Sequence, residues 1–232
     1  MGAGIAQVAS CAGFPVVMID IEQKYIDRGI QTIEKSLSKL VSKQKMTQEE
    51  ADVAISLVST SISREAASDA DLVIEAIPEV PELKFSAFKE LDSICKESAI
   101  LASNTSSISI NDIADSTNRP ERVIGMHFMN PVPIMKLVEI INGRETDPEV
   151  TSAILTASEK MGKTPLQCND SPGFISNRIL CPMLNEAILA FQEGVAEPEA
   201  IDGIMKLGMN HPIGPHALAD LIGLDTVLHN RN

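Results

Sequence analysis

Apolar residues in the first three quarters of the chain follow two alternating rhythms. Short continuous runs, Phe14–Asp20, Leu57–Ile62, Leu72–Ile77 and Ala99–Asn104, read as buried strands. Between them lie longer stretches in which apolar side chains return every three or four residues, as Ile26, Ile30, Ile33, Leu37 and Leu40 do within 22–41. Thr47-Gln48-Glu49-Glu50 has the spacing of a capping box and predicts a helix to about Ser56, while Pro81 opens another through Ala87 and Leu91. Strand and helix in alternation predict an α/β fold with a parallel, doubly wound, Rossmann-like sheet. A helix over 149–161 should stop at Gly162, and Thr164–Cys168 forms one more strand. From Ser171 onward the strand rhythm ends, and helices are predicted at about 174–192, 197–207 and 215–228. The expected division is therefore an α/β domain over residues 1–170 and a smaller all-helical domain over 171–232.

Two apolar runs joined by a proline-braced turn, Val123–Met129 and Lys136–Ile141, break the parallel pattern. If they pair as antiparallel strands about a turn centred on Pro133, positions equidistant from it face each other, and 127 and 139 are such a pair. His127 and Glu139 then come within hydrogen-bond reach. A carboxylate on one ring nitrogen sets the tautomer and turns the other toward accepting a proton, as a general base requires. The bland alternative is a structural histidine beside a rim glutamate. Two strand runs also open into polar residues at their carboxyl ends, Glu75–Glu79 and Ser103–Ser107, where open α/β sheets bind ligands.

Charge and composition narrow the partners. Nineteen basic against thirty-two acidic residues give a net charge of −13 with no dense basic stripe, so nucleic acid is an unfavourable partner. No apolar run reaches the roughly 18 residues of a membrane span. The four cysteines show no metal-ligand spacing and sit in apolar stretches, as reduced thiols do, which points to the cytoplasm or, in a eukaryote, to the mitochondrial matrix or peroxisome. His211, His216 and His229 form no metal spacing, and no metal site is expected.

Met1-Gly2-Ala3-Gly4-Ile5-Ala6 reads as the back half of a dinucleotide fingerprint, with Gly2 at the third-glycine position. Asp20, at the tip of the next strand, is placed to accept from both ribose hydroxyls and to repel a 2′-phosphate. A plain glycine-containing helix and a capping aspartate are the competing readings.

With these pieces in order, the chain resembles the L-3-hydroxyacyl-CoA dehydrogenase family over essentially its whole length. The most specific matches are Ser103-Asn104-Thr105-Ser106-Ser107, His127-Phe128-Met129-Asn130-Pro131, Lys136-Leu137-Val138-Glu139, Pro172-Gly173-Phe174-Ile175-Ser176-Asn177-Arg178 and Asn210-His211-Pro212-Ile213-Gly214-Pro215. The resemblance implies NAD-dependent oxidation of an L-3-hydroxyacyl-CoA, with His127 as general base and Glu139 orienting it. It implies substrate-hydroxyl contacts from Ser106 and Asn177, and a nicotinamide-ribose end lined by Glu79, Lys84 and Asn104. Cofactor choice falls on Gly2 and Asp20 and implies NAD rather than NADP. The competing readings are a helix cap for Ser106, a buried interdomain hydrogen bond for Asn177, and a solvated helix face for Lys84. The resemblance also implies an acyl-CoA partner and a homodimer.

Measured against the family, both ends of the chain read as cut: the expectation is a missing central first strand, two unpaired sheet edges, impaired NAD binding and an incomplete dimer face. A related dehydrogenase of hydroxy acids or sugar acids without CoA, and an inactive fragment, are the rival readings.

Overall fold

Helix α1 (Gly2–Cys11) turns through Gly13 into β1 (Val16–Ile19), and α2 (Gln23–Ser42) and α3 (Gln48–Ser56) lead to β2 (Val58–Ser61). This computed structural model describes residues 1–231, with side chains undescribed at 226 and 229–231. The Thr47 capping box is formed in full, with Thr47 Oγ1 accepting from Glu50 N and the Glu50 carboxylate accepting from Thr47 N. Such a cap contributes about 1 kcal/mol, which suits a helix of only nine residues. Next come β3 (Leu72–Glu75), α4 (Pro81–Ile94), β4 (Ile100–Ser103), α5 (Ile110–Ala114), β5 (Val123–Phe128), β6 (Leu137–Asn142), α6 (Pro148–Lys160) and β7 (Thr164–Asn169). The predicted run Leu72–Ile77 ends early for a local reason. The Glu75 side chain accepts the Ile77 N–H at 2.6 Å and Pro78 has no N–H, so neither residue can extend the ladder.

The strands form two sheets, so that β1 and β3 are each left with one unpaired edge. β1 and β2 pair in parallel, and a separate five-stranded sheet runs in the order β3-β4-β5-β6-β7. The larger sheet is parallel except between β5 and β6. Helix α1 bridges the two: Ile5 and Val8 join the core on the larger sheet, and Ala6 packs with Ile33, Leu37, Ala51 and Ala54 beside β1.

Burial decides which sheet is the foundation. Ile124, Met126, Val138 and Ile140 are wholly inaccessible, and each such side chain contributes about 1.5–3 kcal/mol. They occupy one face of the β5–β6 pair. The other face carries Gly125, His127, Glu139 and Ile141. A Cβ on Gly125 would stand 2.8 Å from Ile141 Cβ and 3.0 Å from Ile110 Cδ1, so only glycine lets α5 cross this close to His127.

The chain divides into a unit over residues 1–170 and a second unit beginning at Ser171. The second holds α7 (Ser176–Gln192), α8 (Pro198–Gly208), α9 (Pro215–Ile222) and α10 (Leu224–Arg231), around Leu184, Ala219 and Val227. The helix predicted over 215–228 is two helices, because Gly223 adopts φ +97° and closes α9. Asp202 caps α9 by accepting from His216 N at 2.8 Å and Ala217 N at 2.9 Å. Burial pushes its carboxyl up, and these amides with the His216 ring outweigh that and hold it below the usual range. His216 is thus structural, while the His229 side chain lies outside the described residues. The packing expected of all four thiols fails at Cys11, which is exposed near the end of α1.

Candidate active site

The β5–β6 register sets His127 opposite Glu139, as the turn arithmetic requires. His127 Nδ1 lies 2.9 Å from Glu139 Oε2, and both residues are buried, at 9% and 4% exposure. A carboxylate at that distance favours the tautomer protonated on Nδ1. The nearest thiol offers no rival nucleophile: burial, then Glu139 and Asp170, raise Cys168 to about 11.

Side by side with the dyad, the carboxyl ends of β3 and β4 carry a closed polar network. Glu75 and Ser103 are register partners. The buried Glu75 carboxylate accepts from Lys84 Nζ at 2.7 and 3.0 Å, from Ser103 Oγ at 2.6 Å and from Ile77 N. Lys84 is 1% exposed, so the solvated-face reading of it is wrong. Its ammonium also lies 3.3 Å from Glu79 Oε2. Removing one member of such a buried pair costs about 3–5 kcal/mol because the other charge is stranded.

Glu79 turns its other oxygen to the Thr105–Ser107 loop. Its Oε1 accepts from Thr105 Oγ1 at 2.5 Å, Ser106 N at 2.8 Å and Ser107 N at 3.0 Å, with the Ser106 hydroxyl at 3.3 Å. Burial pushes the Glu79 carboxyl up, but Thr105, Lys84 and the two amides outweigh it, and it stays below the usual range. Ser106 does not cap the following helix, since Ser109 caps α5 by accepting from Asp112 N. Asn104 ties the network to the dyad strand, its Oδ1 accepting from Phe128 N at 2.9 Å. Ser106, Glu79, Lys84, Asn104 and His127 therefore gather at the carboxyl ends of the adjacent strands β3, β4 and β5, with Glu139 facing His127 from β6.

The other predicted residues lie elsewhere. Gly2 starts α1 beside the end of β3, where a Cβ on it would lie 3.9 Å from Ala76 Cβ. Met1 supplies no side-chain cap, and while Gly4 N and Ile5 N go to Met1 O at 2.9 and 3.2 Å, the Gly2 and Ala3 N–H groups precede the first helical acceptor, an arrangement that suits a pyrophosphate. Asp20 is exposed just past β1, with Oδ1 accepting from Ile21 N at 2.8 Å. An α-helix start and a strand-end carboxylate fit a dinucleotide with an unmodified ribose diol. Asn177 belongs to the second unit, in the first turn of α7 after a sharp bend in which Gly173 has φ +74°. Among the described residues, no group of three His, Cys, Asp or Glu is arranged to hold a metal ion.

Sequence reasoning placed Glu75, Ser103 and Thr105 in strand-end segments suited to ligand binding but gave none of them a role. The signal for Glu75 was present, since it is the one charged residue inside the run Leu72–Ile77.

Comparison with known proteins accounts for both units. Residues 1–171 match the model of the 3-hydroxyacyl-CoA dehydrogenase NAD-binding domain, and residues 173–232 match that of the 3-hydroxyacyl-CoA dehydrogenase C-terminal domain. A probable 3-hydroxybutyryl-CoA dehydrogenase of Deinococcus radiodurans is 56% identical, across 98% of this chain and 82% of its own length. Human mitochondrial hydroxyacyl-coenzyme A dehydrogenase is 44% identical, across 97% of this chain and 74% of its own. The crystal structure of (S)-3-hydroxybutyryl-CoA dehydrogenase from Ralstonia eutropha superposes with a TM-score of 0.97 at 48% identity, covering 99% of this chain and 81% of that one. With both domain models matched in order and the paired histidine and carboxylate standing at the strand ends, this chain belongs to the 3-hydroxyacyl-CoA dehydrogenase family.

Proposed function

We propose that His127 is the general base of this chain's reaction and Glu139 the carboxylate that orients it. The reaction is the NAD-dependent oxidation of a 3-hydroxyacyl-CoA to the 3-oxoacyl-CoA. The observation that carries the residue assignment is the buried 2.9 Å contact between Nδ1 and the carboxylate. His127 Nε2 takes the proton of the C3 hydroxyl, and Glu139 stabilises the imidazolium that results. Bound NAD supplies the hydride acceptor. The N-terminus of α1 from Gly2 would hold its pyrophosphate, Asp20 would accept from the adenosine ribose, and Glu79, Lys84 and Asn104 would line the nicotinamide-ribose end. Ser106 steadies the substrate oxygen on which charge develops, and Asn177 is the substrate contact we assign to the second unit.

The substrate we infer is a short L-3-hydroxyacyl-CoA, 3-hydroxybutyryl-CoA being the acyl group in the names of the relatives. Oxidation of 3-hydroxybutyryl-CoA, free 3-hydroxybutyrate and gulonate, each followed by NADH absorbance, separates this reading from that of a hydroxy-acid or sugar-acid dehydrogenase. Turnover confined to the CoA ester is expected, and turnover of gulonate but not of the ester would overturn it.

We also propose that the chain pairs with a second copy through its helical unit, where Ile204, Leu207 and Leu221 are 61%, 90% and 72% exposed. Light scattering of the purified chain should report a dimer mass. None of the helices searched among the described residues is long and apolar enough to cross a membrane. A cytoplasmic setting is the one we favour, since the four cysteines are unpaired thiols.

A further inference from the structure

Lys163 places a buried ammonium where the sequence pattern shows only the start of a strand. Helix α6 ends in a Schellman turn: Gly162 adopts φ +71°, its N–H meets the Glu159 carbonyl, and Lys163 N reaches back to Ser158 O at 3.0 Å. Lys163 then lies inside the protein, at 8% exposure. Its Nζ donates to the Val132 carbonyl and, at 2.9 Å, to the Met135 carbonyl. Both carbonyls belong to the connection that follows His127 and leads to Glu139.

That connection also touches the first helix. A Cβ on Gly4 of α1 would stand 3.0 Å from Val132 Cβ and 3.5 Å from Pro133 Cδ. One ammonium is thus hydrogen-bonded to the segment on which the base strand, the strand of its carboxylate partner and α1 converge. Inside the segment, the N–H groups of Ile134 and Met135 both go to Pro131 O at 3.0 Å, and Pro131 and Pro133 have no N–H to give. Carbonyls turned inward here need a donor from elsewhere. A methionine of similar length would fill the space without desolvating a charge, so packing alone does not account for a lysine. Burial, with Lys136 nearby, pulls the amine below the usual lysine range, as befits an ammonium held away from water.

We propose that Lys163 is a positioning residue for the reaction: it clamps the Pro131–Met135 turn and so keeps His127 in register with Glu139 and α1 seated on the sheet. Its catalytic consequence rests on His127 being the base, whereas the clamp itself does not. Two variants test it, Lys163→Met, which keeps the volume, and Lys163→Arg, which keeps the charge and donors. Amide hydrogen exchange is read at Ile134 and Met135 in the ligand-free chain, with Leu101 of β4 as the internal reference. Steady-state kinetics use acetoacetyl-CoA and NADH.

In Lys163→Met, exchange at Ile134 and Met135 should accelerate about tenfold or more relative to Leu101, the effect of losing charged hydrogen bonds. The kcat should fall by about tenfold with the KM for acetoacetyl-CoA little changed, because misplacing the base acts on the chemical step. Lys163→Arg should lie closer to the unsubstituted chain in both readouts. Unchanged exchange at the turn, equal acceleration at Leu101, an unchanged kcat beside selective exchange, or an arginine variant no better than methionine would each overturn the proposal. An unsubstituted chain without turnover would instead favour the inactive-fragment reading over the proposed activity, and the exchange result would still decide the clamp.

Discussion

The two sheets of the first unit treat similar strands very differently. β4 and β5 are buried along their whole length with a partner on each edge, whereas β1, an equally apolar Val-Val-Met-Ile, pairs only with β2 and leaves Val17 45% exposed. The larger sheet carries the dyad and the Glu75–Lys84–Glu79 network, whose charged members lie within hydrogen-bond or ion-pair distance of one another. Asp20 stands at the end of the smaller sheet, its carboxylate accepting from the adjacent Ile21 N–H. On the roles proposed above, the contrast predicts a reacting end organised before any ligand arrives and an adenosine end that takes much of its order from the cofactor.

The largest test of that contrast is His127→Gln. It should lower kcat by roughly 10²-fold or more, with NADH affinity nearly unchanged in a fluorescence titration, because a base acts in the transition state and not in cofactor binding. Glu139→Gln keeps a hydrogen bond to the ring but loses the charge that stabilises imidazolium, so a decrease of about tenfold or more with an altered pH–rate profile is expected. Normal turnover in either variant would remove that residue from the mechanism.

On the other side, Asp20→Ala should weaken NADH binding by roughly tenfold and narrow the preference over NADPH, leaving kcat at saturating cofactor almost intact. A kcat loss matching that of His127→Gln would mean that the two ends are not separate devices. The smallest effect concerns acid. Glu79 sits below its ordinary 4.5, so its contribution to stability is complete above that value and fades as pH falls through the lower folded value. Thermal melting should show Glu79→Gln less stable than the unsubstituted chain by a few degrees at neutral pH, with the gap closing as pH drops below about 4. A gap that widens in acid would contradict the assigned direction.

Much of this was legible in the sequence, for identifiable reasons. A hairpin obeys a register rule, so His127 and Glu139 could be paired from numbering alone. The Thr47 capping box and the Gly162 stop are local chemistry, and both formed as read. What depended on distant partners was harder to see. Lys84 lies on a helix whose exposed face could have carried it, and only Glu75, brought alongside by the sheet, draws it inside. Lys163 is buried because carbonyls some thirty residues earlier turn toward it. The two unpaired sheet edges were legible only through the family resemblance, since periodicity within a single strand does not encode which strand lies beside it.

The central claim, a reacting end built in advance beside an adenosine end ordered by its cofactor, is tested most directly by amide hydrogen exchange with and without saturating NADH. In the ligand-free chain, amides of β4, β5 and β6 should exchange about 10²-fold or more slowly than those of β1 and β2. NADH should slow exchange in β1, β2 and the first turn of α1 while leaving β5 and β6 nearly as they were. Equal protection in both sheets without ligand, or NADH-induced slowing centred on β5 and β6, would contradict the account.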